Sequence, residues 1–212
     1  DPNAMGTLFY SFAVAVVTTL VCLLLAYPIA CILAFSKLKA KSALVMIFVL
    51  PMWINFSLRI TALKEILTVF EGNLAMYPFF NAVVGMTYDF LPFMILPIYT
   101  TVSRLDGALR EAAMDLGANE AQTFLRVTLP LSVPGIMSGI SMVFLPAMTN
   151  YVVLDMLYNS TYIMGSLIGS YFSAYNWNGG SMIALILLGI ICLFTLLTDG
   201  GDESTSRGGA LL

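Results

Sequence analysis

Five long apolar stretches, parted by shorter polar ones, set the pattern of this chain. Residues 7–35, 133–154 and 181–197 contain no charged side chain; 43–62 contains only Arg59, and 76–102 only Asp89. A bilayer core about 30 Å thick takes about 20 helical residues to cross. Each stretch is therefore expected to be a membrane span, and the fold class an all-α integral membrane protein. Residues 155–180 are richer in Tyr, Asn, Ser and Gly, with a short apolar patch at Ile163–Ile168. They read as an external connection with an interfacial helix or a shallow re-entrant segment. The longest polar stretch between spans is 103–132. Residues 1–198 thus make one transmembrane domain. The acidic, Gly/Ser-rich tail 199–212 has too little apolar surface to order itself and is expected to be flexible.

Composition narrows the class further. Of 212 residues 59% are hydrophobic and 10% charged, whereas a soluble domain is nearer half apolar and a quarter charged. A water-soluble enzyme is excluded on that ground. The chain has no histidine and a net charge of −3, which removes the usual proton shuttle and the commonest metal ligand. Nine scattered basic residues make no nucleic-acid footprint. Cys22, Cys31 and Cys192 lie inside apolar stretches at unrelated spacings and read as packing or lipid-facing residues. The glycine pairs Gly135/Gly139 and Gly165/Gly169 have the spacing that lets helices approach closely.

Basic residues mark the cytoplasmic side of a membrane protein. Lys37, Lys39 and Lys41 follow the first span, and Arg104, Arg110 and Arg126 follow the third, which puts both clusters on one face. The opposite face receives Arg59 and Lys64, with Arg59 reading as an external anchor. The expected topology has the N-terminus outside and the C-terminus inside, in a bacterial cytoplasmic (inner) membrane. A start outside with Asp1-Pro2-Asn3 carries the expectation of a further span ahead of residue 1.

The 103–130 stretch has legible local physics. Asp106 is placed to cap a helix over Ala108–Leu116, and Gly117 to end it in the left-handed conformation. Asn119 and Gln122 have capping-box spacing for a second helix, expected to stop before Pro130. Glu111-Ala112-Ala113, then Gly117, then Leu129-Pro130, all between two spans, resemble the EAA motif of ABC importer permeases. The resemblance implies a type I ABC importer transmembrane domain whose coupling helix docks on an ATP-binding subunit. Ala112 and Ala113 would allow close approach, Glu111 and Asp115 would face the ATPase surface, and Gly117 would set the elbow. Further stretches, Leu50-Pro51-Met52-Trp53-Ile54-Asn55, Leu91-Pro92-Phe93 and Leu145-Pro146-Ala147, are similar to the PotB-type permeases of spermidine/putrescine importers. That family has six spans, of which five are found here. It implies partners: two ATPase copies carrying ATP and Mg, a PotC-type second permease, and an extracytoplasmic substrate-binding protein. No cofactor is expected in this chain. Consistently, the 212 residues contain no G-x-x-x-x-G-K-[ST] phosphate loop.

Ionisable groups at membrane depth are costly and mark function. Asp89, beside Tyr88 and three residues before Pro92, faces a cation path, pairs with Arg59 or caps a broken helix. A polyamine wants carboxylates for its ammonium groups and aromatic faces for cation–π contact and methylene packing. Trp53, Asn55, Tyr88, Asp89, Tyr99, Tyr151 and Asp155 are the candidate path residues; the tyrosines and Asp155 read equally as packing or interfacial groups. Two rival functions stay open. One is an ABC permease for another small solute such as sulfate, iron or thiamine. The other is an ion-coupled secondary transporter or channel.

Overall fold

The first helix, α1 (Pro2–Phe35), keeps its course through Pro28. In the computed structural model, which describes residues 2–36, 41–158 and 163–199, all regular structure among the described residues is helical. The tail 200–212, Lys37 and Lys39 lie outside the described residues. Among the described residues four helices are long and apolar enough to cross a membrane, Met5–Phe35, Pro78–Ser103, Glu120–Thr149 and Trp177–Leu196, and a bent pair, Ala43–Trp53 with Phe56–Glu71, is so when taken together.

The core is built by α1, α4 (Pro78–Ser103) and α7 (Leu129–Thr149), which pack on one another. Helical spacing puts Ser11, Ala15, Thr18, Cys22, Ala26 and Ala30 along α1, all fully buried. These small side chains let the neighbouring backbones come close, the main source of attraction between helices in lipid. The same device joins α4 to α7: a Cβ on Gly135 would stand 2.8 Å from the Pro97 carbonyl oxygen, and one on Gly139 3.4 Å from the Met94 carbonyl oxygen. In the second glycine pair only Gly165 is crowded, against Thr149 and Tyr151, while Gly169 faces open space. The outer helix α10 (Trp177–Asp199) leaves Met182, Leu185, Leu188, Leu193 and Leu196 uncovered and joins the core by stacking Phe194 on Phe144 at 4.3 Å. Apolar side chains pointing outward suit a helix solvated by lipid.

The expected span 43–62 falls on a bent pair of helices. Helix α2 (Lys41–Val49) passes through a single 3₁₀ turn at Leu50–Trp53 into α3 (Phe56–Glu71), and the two halves meet at 96°. Pro51 cannot donate a backbone hydrogen bond, and Asn55 starts a new helix by accepting from the Ser57 N–H at 2.9 Å. Glu71 and the Leu74 carbonyl both accept from Asn81, which fixes the short return to α4.

The helix that carries the fourth span runs from Glu120 to Thr149, its first turns belonging to the polar hairpin; it ends there because Asn150 accepts from the Val152 N–H, where a separate helix α8 (Val152–Tyr158) starts. The expected stop before Pro130 does not occur. A short helix, α6 (Glu120–Thr123), runs into one π turn at Phe124–Thr128 and straight on into α7, the Leu129 N–H reaching back to the Phe124 carbonyl. The extra residue in that wider turn accommodates the proline ring, which would collide with the Arg126 carbonyl in a regular helix. At the other side of the bundle α9 (Met164–Ser173) is tied to α1 by the Met164 N–H, which donates to Ser11 Oγ at 2.9 Å. Within 155–180, expected to be an external connection with an interfacial helix or a re-entrant segment, lie the second half of α8 and all of α9; residues 152–154, expected in the fourth span, open α8 instead.

Candidate functional site

Two regions hold the residues singled out from sequence. The first is the polar hairpin between α4 and α7. Asp106 accepts from the Ala108 N–H at 3.0 Å and starts α5 (Gly107–Asp115). Gly117, at φ +86°, ends it: its N–H donates to the Met114 carbonyl at 2.9 Å, and Ala118 N–H to Ala113 at 3.1 Å. That pair of bonds is a Schellman closure, which only a left-handed residue permits without strain. Asn119 and Gln122 exchange bonds of 3.0 and 2.8 Å, a complete capping box. The N–H groups of Leu116, Gly117, Ala118 and Asn119 at the elbow are thereby all paired with acceptors within a few positions, three on the backbone and one on the Gln122 side chain.

The hairpin presents Glu111, Ala112 and Asp115 to the exterior, with Ala113 half-buried behind them. Leu116 is 89% exposed at the elbow, beside exposed Leu109 and Met114. Leu129 and Pro130 are not part of this surface; they sit on the helix that carries the hairpin into the bundle. The hairpin is fastened to the end of α1. The Arg110 guanidinium lies 4.1 Å from the Phe35 ring centre. Tyr27 OH donates to Ser132 Oγ at 2.9 Å, and Ser132 in turn donates to the Leu129 carbonyl. Between hairpin and α1 is an open cavity of about 430 Å³, lined by Cys31, Phe35, Arg110, Glu120, Phe124 and Thr128 among others.

The second region is the break in span two. Asp89 is buried on α4 and forms an ion pair with Arg59 in the first turns of α3. The two side chains are 8% and 6% exposed. Arg59 Nη1 also donates to the Pro51 carbonyl at 3.2 Å, which accepts from the Ile54 N–H as well. The guanidinium lies 5.9 Å from the Phe56 ring and 5.8 Å from that of Tyr88, within cation–π range. Asp89 pairs with Arg59, one of the readings open for it. Arg59 is corrected from an external anchor to a buried partner; its positively charged head finds acceptors only inside the bend. Taking two charges from water costs several kcal/mol per ion, repaid only by good mutual geometry.

The remaining path candidates are spread out. Trp53 is 80% exposed at the break, and Asn55 uses its amide oxygen as a helix cap. Tyr88 is 41% exposed, covering the ion pair from outside. Tyr99 is half-buried farther along α4, ten positions beyond Asp89, and is not brought to the pair. Tyr151 is exposed at the start of α8. Asp155 is exposed on the same helix, whose Val153, Leu154 and Leu157 turn inward. Val153 and Leu157 pack against Gly85 of α4. The sequence reading undervalued Arg59, Pro51 and Phe56. The signal available for them was the single basic residue in one span matching the single acid in the next.

Comparison with known proteins decides the family. Residues 4–201 match the model for binding-protein-dependent transport system inner membrane components. The chain belongs to that family. It is similar to the spermidine/putrescine transport system permease protein PotB of Haemophilus influenzae, 36% identical over 98% of this chain and 78% of the relative. The PotB protein of Escherichia coli K12 is 33% identical over 93% of this chain and 78% of its own length. A PotB homolog of Mycoplasma genitalium is 30% identical over 92% of this chain and 63% of its own.

As a member of this family the chain is a multi-pass permease subunit of an ABC transporter in the inner membrane, a transport component and not a catalyst. The exposed apolar faces found above suit that setting. The broken span is tolerable at membrane depth where its backbone groups keep partners within the protein: the Pro51 carbonyl accepts from both the Ile54 N–H and Arg59.

Proposed function

We propose that this permease forms half of a translocation path for polyamines and is driven by a separate ATPase that docks on the 103–130 hairpin. The observation that carries the coupling reading is the hairpin's build. A rigid elbow, closed by Gly117 and the Asn119–Gln122 box, exposes Glu111 and Leu116 together at one end of the bundle. Such a surface transmits a push without absorbing it. ATP and Mg belong on the partner, since the chain carries no phosphate loop of its own. The full assembly on this reading contains two ATPase copies, a PotC-type second permease and an extracytoplasmic binding protein. Nucleotide binding then biases the permeases between inward- and outward-facing arrangements.

The polyamine reading rests on similarity to relatives named as spermidine/putrescine permeases. The carboxylate and aromatic groups at the break support it chemically, with Trp53 and Tyr88 exposed beside them. A sulfate path would want net positive groups, and Asp89 neutralises Arg59. The test is uptake of labelled spermidine by vesicles containing the complete transporter. Uptake suppressed by excess putrescine and untouched by sulfate is expected; the opposite pattern would overturn the cargo assignment.

A further inference from the structure

We propose that Arg59 is a resident cation, occupying a site suited to a cargo ammonium group and displaced from Asp89 when cargo passes. The inference rests on the polyamine reading above and gives it a particular location. Around the guanidinium stand one carboxylate, the faces of Phe56 and Tyr88, and the Pro51 carbonyl, which has a second lone pair beyond the one taken by the Ile54 N–H. A protonated alkylamine wants the same set: a counter-charge, a neutral oxygen acceptor, and ring faces for the cation and its methylenes.

Arg59 fills this site incompletely. Its Nε is buried and donates to no group among the described residues. Its hold on Pro51 is long, at 3.2 Å. The pair is buried, yet two aromatic residues near it reach the surface: Tyr88, whose ring lies 5.8 Å from the guanidinium, is 41% exposed, and Trp53, two positions after Pro51, is 80% exposed. A buried ion pair cannot simply open, because each stranded charge would lack a partner. An arriving ammonium removes that obstacle for Asp89, while Arg59 moves off with α3. That helix is joined to α2 only through Leu50–Asn55, the segment where the chain turns by 96°. Cargo occupancy at Asp89 and the angle of the break are thereby linked: each favours the state in which Arg59 has left. A ligand shifts such an equilibrium by its differential affinity for the two states.

A pair that merely staples α3 to α4 predicts something different. Binding of labelled spermidine to the assembled transporter in nanodiscs, by equilibrium dialysis, separates the two. Arg59→Gln removes the competitor and is expected to bind spermidine about tenfold tighter, the equivalent of one charge-assisted hydrogen bond. Asp89→Asn is expected to bind about tenfold weaker on the same scale. Unchanged or weaker binding in an assembled Arg59→Gln transporter overturns the proposal. If that variant does not assemble, Arg59→Lys keeps the charge but loses the guanidinium fork. It should bind several-fold tighter than wild type, and wild-type affinity or weaker again overturns the proposal. A wild-type transporter that takes up sulfate and binds no spermidine would instead remove the polyamine reading on which this one stands.

Discussion

The hairpin at 103–130 and the bend at 50–59 are both sharp reversals of helix direction, built in opposite ways. In the hairpin every turn is held by its own neighbours: Asp106 by Ala108, Gly117 by Met114, Asn119 by Gln122. At the bend the local cap Asn55 sets where α3 begins, and the guanidinium of Arg59 reaches a carboxylate thirty positions away on another helix. A locally closed turn can move as one rigid piece. A turn held from across the bundle changes when its distant partner changes. On the proposed reading the rigid part receives force from the ATPase and the conditional part meets cargo.

That contrast is most open to breakage at Asp89. Asp89→Ala strands a guanidinium that cannot give up its proton, and breaking a buried pair from one side costs about 3–5 kcal/mol. A large fall in the thermal unfolding temperature of the detergent-solubilised subunit is expected. Stability equal to wild type would mean that the bend does not depend on the pair. Gly117→Leu comes next. A side chain in the left-handed conformation costs about 1–2 kcal/mol, too little to prevent insertion. Turning the elbow away from its partner should nevertheless abolish ATP-driven uptake, so membrane fractionation and uptake read the two effects separately. Normal uptake would remove the rigid-elbow account. The smallest effect is expected from Asn119→Ala, where loss of the cap costs about 1 kcal/mol. Uptake should fall by less than for Gly117→Leu, and proteolysis within 116–123 should rise. A loss as great as that of Gly117→Leu would show the hairpin to be less redundant than its bonds suggest.

The same contrast explains what could be read from sequence. The caps at Asp106, Gly117 and the Asn119–Gln122 box were legible because each signal and its partner lie within five residues. Prolines were not legible in that way. Pro28, Pro92, Pro97, Pro134 and Pro146 all sit inside continuous helices, while Pro51 marks a 96° bend. What differs is not the proline but its company: Asn55 to restart the helix, and Ile54 and Arg59 to donate to the Pro51 carbonyl. The π turn before Pro130 escaped for a related reason, since a helix can widen by one residue as readily as it can stop. The pairing of Arg59 with Asp89 could be raised from sequence as one alternative. Choosing it required knowing that the second span folds back on the third.

The central claim is that force enters this permease through the hairpin from a separate ATPase. It is tested most directly by spermidine uptake into vesicles holding the permease pair and binding protein, with the ATPase present or omitted and ATP supplied. Uptake only with the ATPase, and none with Glu111→Arg despite normal insertion, is the predicted result. Uptake that proceeds with the ATPase omitted would contradict it.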